Sequence, residues 1–356
     1  MSTEQKTPNG TLPEVSSLYK LISELQEDKW NYYAEASDNV AIPLPFATEN
    51  TSVNFIKQYF KKGGKEEAVK DFNIESFLMP RADHTVSIFF LGVLLYDKTV
   101  LKHEIKFSQK VSELYEFFQF IWFVTCLSHD AAFYLEHDKD LYKKCVDLNA
   151  LKKHLKIEYD LTACNINDVP EYMFRLCGPY FSFRHKHRKF TATDHGIYAG
   201  ILLYDRLVKN RIIKKAESNK QYLWEEYLDA EYAYAAATVA VHNIWFPAEK
   251  DFQLYEKYDL HDLIGKQPIK LKESPLLFLL GLVDTIDPVK AYACVAPTFV
   301  LENVYLEFLS NKSFRLKLSP ALNFQIMKEK ADYLQKWLDV HVEPQESERT
   351  LTITFS

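Results

Sequence analysis

The stretch FFQFIWFVTCLSHDAAFYLE, residues 117–136, decides the fold class of this chain. Its first half is almost entirely apolar, which predicts a helix buried on every side, within a long helix over 111–136. Two good metal ligands, His129 and Asp130, follow inside the same run. Burying an imidazole beside a carboxylate costs several kcal/mol unless both groups find partners. The sequence therefore predicts a helical core around a polar centre, and a divalent cation is the simplest partner.

Further ligand-type residues lie in similar surroundings along the chain. Four of them fall within or at the head of an apolar helical stretch: His84, His195, His242 and Asp284. The gaps between successive ligands, 42 to 65 residues, leave room for one or two helices and a turn. Ligands from several helices can then converge, as they do in the cores of helix bundles. Asp287 is a rival for Asp284, and Asp284 can instead stabilise a helix end.

The ordered set H, HD, H, H, D resembles the HD superfamily of metal-dependent phosphohydrolases, and in particular its dinuclear subset. The similarity covers roughly residues 80–290 and implies an HD-domain helical bundle with two divalent transition-metal ions, from among Mn, Fe, Co, Ni and Zn. It assigns metal binding to all six residues: His84, His129, Asp130, His195, His242 and Asp284. By the same resemblance, Asp130 bridges the two ions as the catalytic residue, and His195 and His242 complete the ligand set of the second ion.

This resemblance implies an enzyme that hydrolyses a phosphoester, with a nucleotide or another small phosphate as the substrate. Two other functions stay open. The myo-inositol oxygenases have a similar ligand order and use a di-iron centre to activate O₂. A metal-binding sensor or scaffold would hold ions without catalysis, although the complete ligand set argues against it.

The basic segment RHKHRK, residues 184–189, precedes one of the predicted ligand helices. Its cationic side chains are predicted to bind substrate phosphate: Arg184, Lys186, Arg188 and Lys189. Arginine contacts phosphate oxygens in pairs, and lysine does so as a point charge. A solvated basic loop is an equally good interpretation of this segment.

The composition of the 356 residues excludes several classes of protein. A net charge of −6 gives no global reason to expect nucleic acid or an anionic membrane as partner. No apolar run reaches the roughly 18 residues of a transmembrane helix. The five cysteines have no CxxC spacing, and the polar N-terminus lacks the apolar region of a signal peptide, so we expect a cytoplasmic protein. Glycine-rich nucleotide-binding motifs are absent from the sequence.

Changes in the pattern of polar and apolar residues along the chain predict its domain organisation. Residues 1–14 read as a flexible tail, 15–297 as the helical metal-binding domain, and 298–356 as a small α+β extension. In the extension, an alternating stretch with Asn311-Lys312 near its centre predicts a hairpin, followed by an amphipathic helix and two more strands. The predicted fold class is therefore mainly α with a C-terminal α+β appendage, through which copies of the chain can associate.

Overall fold

The computed structural model describes most of the chain in several stretches. These are residues 15–32, 42, 45–46, 51–62, 74–107, 117–135, 138–164, 171–186, 194–217, 224–244, 252–257, 260 and 268–356. The predicted tail over 1–14 lies outside the described residues.

Helices dominate the described residues, which confirms the prediction of a mainly α fold with a small C-terminal sheet. The helices are α1 Leu18–Glu24, α2 Glu27–Trp30, α3 Thr51–Lys62, α4 Ile74–Lys98, α5 Leu101–Glu104, α6 Phe117–Ser128, α7 Lys139–Lys144, α8 Leu148–Leu155, α9 Glu171–Lys186, α10 His195–Glu217, α11 Leu228–Val241, α12 Phe252–Lys257, α13 Pro275–Ile286, α14 Pro288–Ala291, α15 Pro297–Glu302 and α16 Phe324–Leu334. Short 3₁₀ helices cover Phe133–Leu135 and Leu161–Ala163. In the described ranges, no helix is both long enough and apolar enough to cross a membrane.

Helix α6 forms the centre of the core, and all twelve of its residues are buried. Its Trp122 indole donates to the Phe89 carbonyl of α4 at 2.9 Å and covers Gly92, where a Cβ atom would lie 2.3 Å from the indole ring. The Phe123 ring stacks on Tyr59 of α3, with centroids 4.0 Å apart. The aromatic run of α6 is therefore core packing between α3 and α4.

Helices α10 and α11 pack against each other at very short range. A Cβ atom on Gly200 would lie 2.4 Å from the Ala236 carbonyl oxygen of α11, so only glycine allows this approach. The Arg211 guanidinium also pairs with the Asp229 carboxylate through two contacts, at 2.5 and 2.7 Å. This rigid pair sets the spacing between the two ends of α10 and α11 that carry candidate ligands.

The C-terminal extension supplies four strands of an antiparallel sheet, together with α16. These strands are β2 Val304–Ser310, β3 Ser313–Leu318, β4 Val340–Gln345 and β5 Thr350–Phe355, and β1 Ser16–Ser17 from near the N-terminus adds a fifth in the order β1-β2-β3-β5-β4. The hairpin predicted around Asn311-Lys312 is confirmed as β2 and β3. The sheet packs against the helices, since the ring of Phe278 in α13 contacts the ring of Phe355 in β5, with centroids 5.6 Å apart.

Two predicted segments have different bounds in the structure. The helical domain predicted over 15–297 begins with β1, because Ser16 and Ser17 pair with Leu306 and Tyr305 of the C-terminal sheet. The long helix predicted through His129 ends at Ser128. There the His129 ring donates to the Cys126 carbonyl at 2.7 Å, which uses a carbonyl that the next helical turn would need.

Candidate metal centre

Five buried side chains converge where the middle of α4 meets the C-terminal ends of α6 and α11 and the start of α10. They form two groups, one of His84, His129 and Asp130 and one of Asp130, His195 and His242, and in each group the ligand atoms lie within 4.8 Å of one another. We call the first group, together with Asp284, the His84 half of the centre, and the second group the His242 half. Asp130 belongs to both groups.

Two of the imidazoles, both at the ends of helices, are held by the same kind of hydrogen bond to a backbone carbonyl. His129 follows the last residue of α6, and His242 follows the last residue of α11. The Nδ1–H of each ring donates to a carbonyl three residues back in the chain, Cys126 and Val239 respectively, at 2.7 Å in both cases. The final carbonyls of a helix have no partner within the helix, so these rings satisfy them. The negative ends of both helix dipoles then face the centre and favour cations there.

His84 is anchored by a carboxylate instead of a carbonyl. Its Nδ1 lies 2.7 Å from Asp287 Oδ2, and Ser87 Oγ donates to the other oxygen of Asp287 at 2.5 Å. Asp287 also caps α14 by accepting from the backbone N–H groups of Val289 and Lys290. Asp287, the rival of Asp284 in the sequence, therefore holds the back of a ligand ring and does not face the centre.

The inner nitrogens of the four rings face one another in two pairs. His84 Nε2 lies 3.3 Å from His129 Nε2, and His195 Nε2 lies 3.3 Å from His242 Nε2. Where Nδ1 carries the hydrogen, Nε2 presents a lone pair, and either a proton or a metal ion between the two nitrogens of a pair satisfies both of them. Two nitrogens bound at about 2.0–2.1 Å to one tetrahedral metal ion are about 3.3 Å apart. The rings in each half are thus close enough together to hold a metal ion.

The carboxylates complete this arrangement. Asp130 Oδ2 lies 3.3 Å from His129 Nε2, and Asp130 Oδ1 lies 3.4 Å from His195 Nε2, so each oxygen serves a different half. Asp284 Oδ1 lies 3.1 Å from His84 Nε2 and 3.6 Å from His129 Nε2. Asp284 therefore belongs to the inner surface of the His84 half. The mixture of imidazole and carboxylate ligands suits Mn, Fe, Co, Ni or Zn.

The electrostatics of the His84 half favour positive charge. Burial lowers the pKa of His129, but Asp130 and Asp284 outweigh burial and raise that pKa to about 10. Burial raises the pKa of Asp130, but His129, His195 and Lys290 together more than offset it and keep that pKa well below its usual range. The carboxylates therefore stay ionised, and a metal ion that binds here replaces a proton on His129, because a ligating imidazole must be unprotonated.

The His242 half differs in charge. Burial and the nearby rings of His195 and His129 lower the pKa of His242 to about 3, although Asp130 acts in the opposite direction. His242 is thus a neutral ring that is ready to bind a metal ion without losing a proton.

Two cationic side chains that the sequence analysis did not single out lie at the His84 half. Arg81 Nη1 donates to Asp130 Oδ2, and Lys290 Nζ lies 2.5 Å from Asp284 Oδ1. The Arg81 guanidinium also lies over the Phe133 ring, 4.0 Å from its centroid, and Phe133 is 38% exposed. These contacts place a cationic and aromatic rim between solvent and the two carboxylates, of which Asp130 is buried and Asp284 is half-buried. Arg81 precedes His84 by three residues and so shares its helix face, which is the one available sequence signal.

Asn243 and Gly196 support the His242 half. The Asn243 amide nitrogen lies 3.4 Å from His195 Nε2. A Cβ atom on Gly196 would lie 3.0 Å from His242 Nδ1, so glycine at this position lets the first turn of α10 approach the anchored ring. Asp194 caps that turn by accepting from the Ile197 backbone N–H at 2.9 Å.

No known protein family, curated protein or solved structure matches this chain.

The predicted substrate-binding residues of the basic segment are only partly within the described residues. Arg184 is half-buried and Lys186 is exposed in the last turn of α9, and Arg188 and Lys189 lie outside the described residues. Next to them, the His185 ring stacks on Tyr142 and lies 2.8 Å from its carbonyl oxygen, so this histidine joins α9 to α7. Phosphate binding by the basic segment stays a prediction.

Asp287→Asn is expected to weaken metal binding in the His84 half by about 10–100-fold, because ligand rings lose orientation and basicity without their outer partners. Affinity in the His242 half should stay unchanged. The measurement is a binding isotherm for Mn²⁺, with free Mn²⁺ followed by its electron paramagnetic resonance signal. The control is Asp332→Asn, an exposed carboxylate on α16. Equal weakening of both ions would show that Asp287 acts through global stability and not through His84.

Proposed function

We propose that this chain is a metal-dependent phosphohydrolase of the HD type with a dinuclear centre. The observation that carries the proposal is the buried Asp130, whose two oxygens serve two separate groups of ligand nitrogens. A carboxylate has enough lone pairs to join two cations in this way. Two divalent ions at this position would lower the pKa of a bound water and neutralise charge on phosphoryl oxygens.

The protein side chains would have distinct roles in this reaction. Asp130 would fix the position of both ions, and Asp284 with His84 and His129 would hold the ion nearer the rim. The rings of His195 and His242 would hold the other ion. Because every ligand except Asp284 is buried, the chemistry would proceed at the bottom of a site that excludes bulk water, where charge stabilisation is stronger.

The rim favours hydrolysis of a phosphoester over oxidation of a neutral polyol. Arg81 and Lys290 add two positive charges next to a centre that would also hold divalent ions. Such a rim suits a phosphate group, which carries about −1.5 to −2 charge at pH 7. A neutral substrate, such as the polyol of the myo-inositol oxygenases, would gain little from it.

The test is metal analysis of the purified protein together with a phosphatase screen over nucleotides, sugar phosphates and p-nitrophenyl phosphate. We expect two transition-metal ions per chain, hydrolysis of at least one phosphoester, loss of activity after chelation, and recovery when Mn²⁺ is added back. Asp332→Asn, carried in parallel, should retain both ions and full activity.

Three outcomes contradict the proposal. A protein with two iron ions, sensitivity to O₂ and no phosphatase activity would instead support the oxygenase. Bound ions without any turnover would support a sensor or scaffold. Failure to bind any transition metal would exclude all three functions of this centre.

A further inference from the structure

The two halves of the centre are unequal in the side-chain cations that they hold. Arg81 pairs with Asp130 Oδ2, and Lys290 pairs with Asp284 Oδ1. Both oxygens face the His84 half, where they lie 3.1 to 3.9 Å from the inner nitrogens of His84 and His129. Among the described residues, no arginine or lysine pairs with Asp130 Oδ1, the oxygen that faces His195. Side-chain cations therefore neutralise the carboxylates of one half only.

These cations compete with a metal ion for the same oxygens. A metal ion in the His84 half would need Asp130 Oδ2 and Asp284 Oδ1, to which Arg81 and Lys290 are bonded. A divalent ion next to a guanidinium and an ammonium would also be strongly repelled in this partly buried site. This repulsion weakens binding of the ion as long as both side chains stay on the carboxylates, and it is relieved when they turn away.

The surroundings of both cations would keep them at the rim after release. Arg81 rests on the Phe133 ring, which is a favourable surface for a guanidinium. The Lys290 backbone is fixed by its hydrogen bond to Asp287, and its side chain is 41% exposed. The released groups would face solvent directly above the ion, with no carboxylate of the centre left to pair with.

We propose that Arg81 and Lys290 exchange between the ligand carboxylates and an anionic substrate, so that a divalent ion and a phosphate group bind the His84 half cooperatively. The inference rests on the proposed function and names its substrate class as a phosphate dianion. Without metal, the two cations balance Asp130 and Asp284. A divalent ion leaves two positive charges uncompensated, and one phosphate dianion balances them. Because binding free energies are linked, phosphate must strengthen metal binding by the same factor by which metal strengthens phosphate binding.

The experiment measures Mn²⁺ binding to the full chain with and without inorganic phosphate, with free Mn²⁺ read from its electron paramagnetic resonance signal. Sodium chloride at matched ionic strength controls for screening. In the unmodified protein, phosphate should tighten one of the two Mn²⁺ ions by about 5–150-fold, the usual range of coupling between sites. The other ion, in the His242 half, should change little.

The decisive variant is Lys290→Gln, whose partly exposed side chain can change without creating a cavity in the core. Without phosphate, this variant should bind Mn²⁺ more tightly than the unmodified protein, because a competitor is gone. Addition of phosphate should then tighten binding much less. Arg81→Gln should act in the same direction, and Lys270→Gln, a lysine paired with Glu273 on the surface, should match the unmodified protein.

The result that overturns the inference is Mn²⁺ affinity that phosphate does not change, or that Lys290→Gln weakens in the absence of phosphate. The same measurements distinguish failure of this inference from failure of the proposed function. Phosphatase activity without coupling would refute the exchange alone, and coupling without hydrolysis of any phosphoester would refute the hydrolase while supporting the exchange.

Discussion

Asp130→Asn is expected to remove both metal ions and to lower turnover of a phosphoester by at least about 1,000-fold, whereas His242→Ala removes one ion and leaves measurable activity. The reason is the position of the carboxylate, since one oxygen faces His129 and the other faces His195. A metal ion supplies several kcal/mol of charge stabilisation in the transition state, and each 1.36 kcal/mol corresponds to tenfold in rate. Loss of both ions should therefore cost more than loss of either.

The measurement is metal content per chain together with kcat, for each variant and for Asp332→Asn. Folding needs a separate check by circular dichroism and thermal melting, because Asp130→Asn leaves the buried His129 ring and the Arg81 guanidinium without their charged partner. Comparable residual rates with normal metal content in both variants would refute the bridging role of Asp130.

Local chemistry explains how much of the fold is predictable from the sequence. Ser274-Pro275 and Pro288 mark the limits of α13 because proline is favoured in a first turn and cannot continue the preceding helix. The hairpin around Asn311-Lys312 follows from alternation of polar and apolar residues on both sides of a turn. These features depend on neighbours in the sequence. The pairing of Ser16 with Leu306 joins residues that are far apart in the sequence, so no local pattern predicts it.

The candidate site divides in the same way. The ligand types are visible in the sequence because a histidine or aspartate in an apolar run is expensive to bury and therefore conspicuous. Lysines and arginines at helix ends are ordinary, so Lys290 is not conspicuous, and its role emerges only where α14 turns back toward Asp284. The hydrogen bonds that hold His129 and His242 could not be predicted from the sequence either, because both rings bind carbonyls that become available only where a helix ends.

Gly200→Ala is expected to destabilise the fold by about 2–3 kcal/mol and to reduce the metal content from two ions to one. The added Cβ would lie 2.4 Å from the Ala236 carbonyl oxygen, 2.6 Å from Ala240 Cβ and 2.8 Å from the Ala240 backbone nitrogen. Alanine favours a helix over glycine by about 0.5–1 kcal/mol, but overpacking of a dense core costs about 1–3 kcal/mol, occasionally more. Backbone atoms cannot rotate away as a side chain can, so the cost should lie at the upper end.

The effect on metal content follows from what the two helices carry. His195 opens α10 and His242 ends α11, and their inner nitrogens lie 3.3 Å apart only while the helices keep their close approach. Separation of the helices by even part of a methyl group would move these nitrogens away from a shared ion, while His84 and His129, on α4 and after α6, would keep theirs.

Urea unfolding and metal analysis on the same samples test both parts. The control is Gly178→Ala in α9, where the added Cβ would meet only the Leu148 side chain at 3.9 Å, so the free energy of unfolding should change by no more than about 1 kcal/mol. A Gly200→Ala protein with unchanged stability would refute the close packing of α10 on α11. A destabilised protein that still holds both ions would instead show that the His242 half does not depend on that packing.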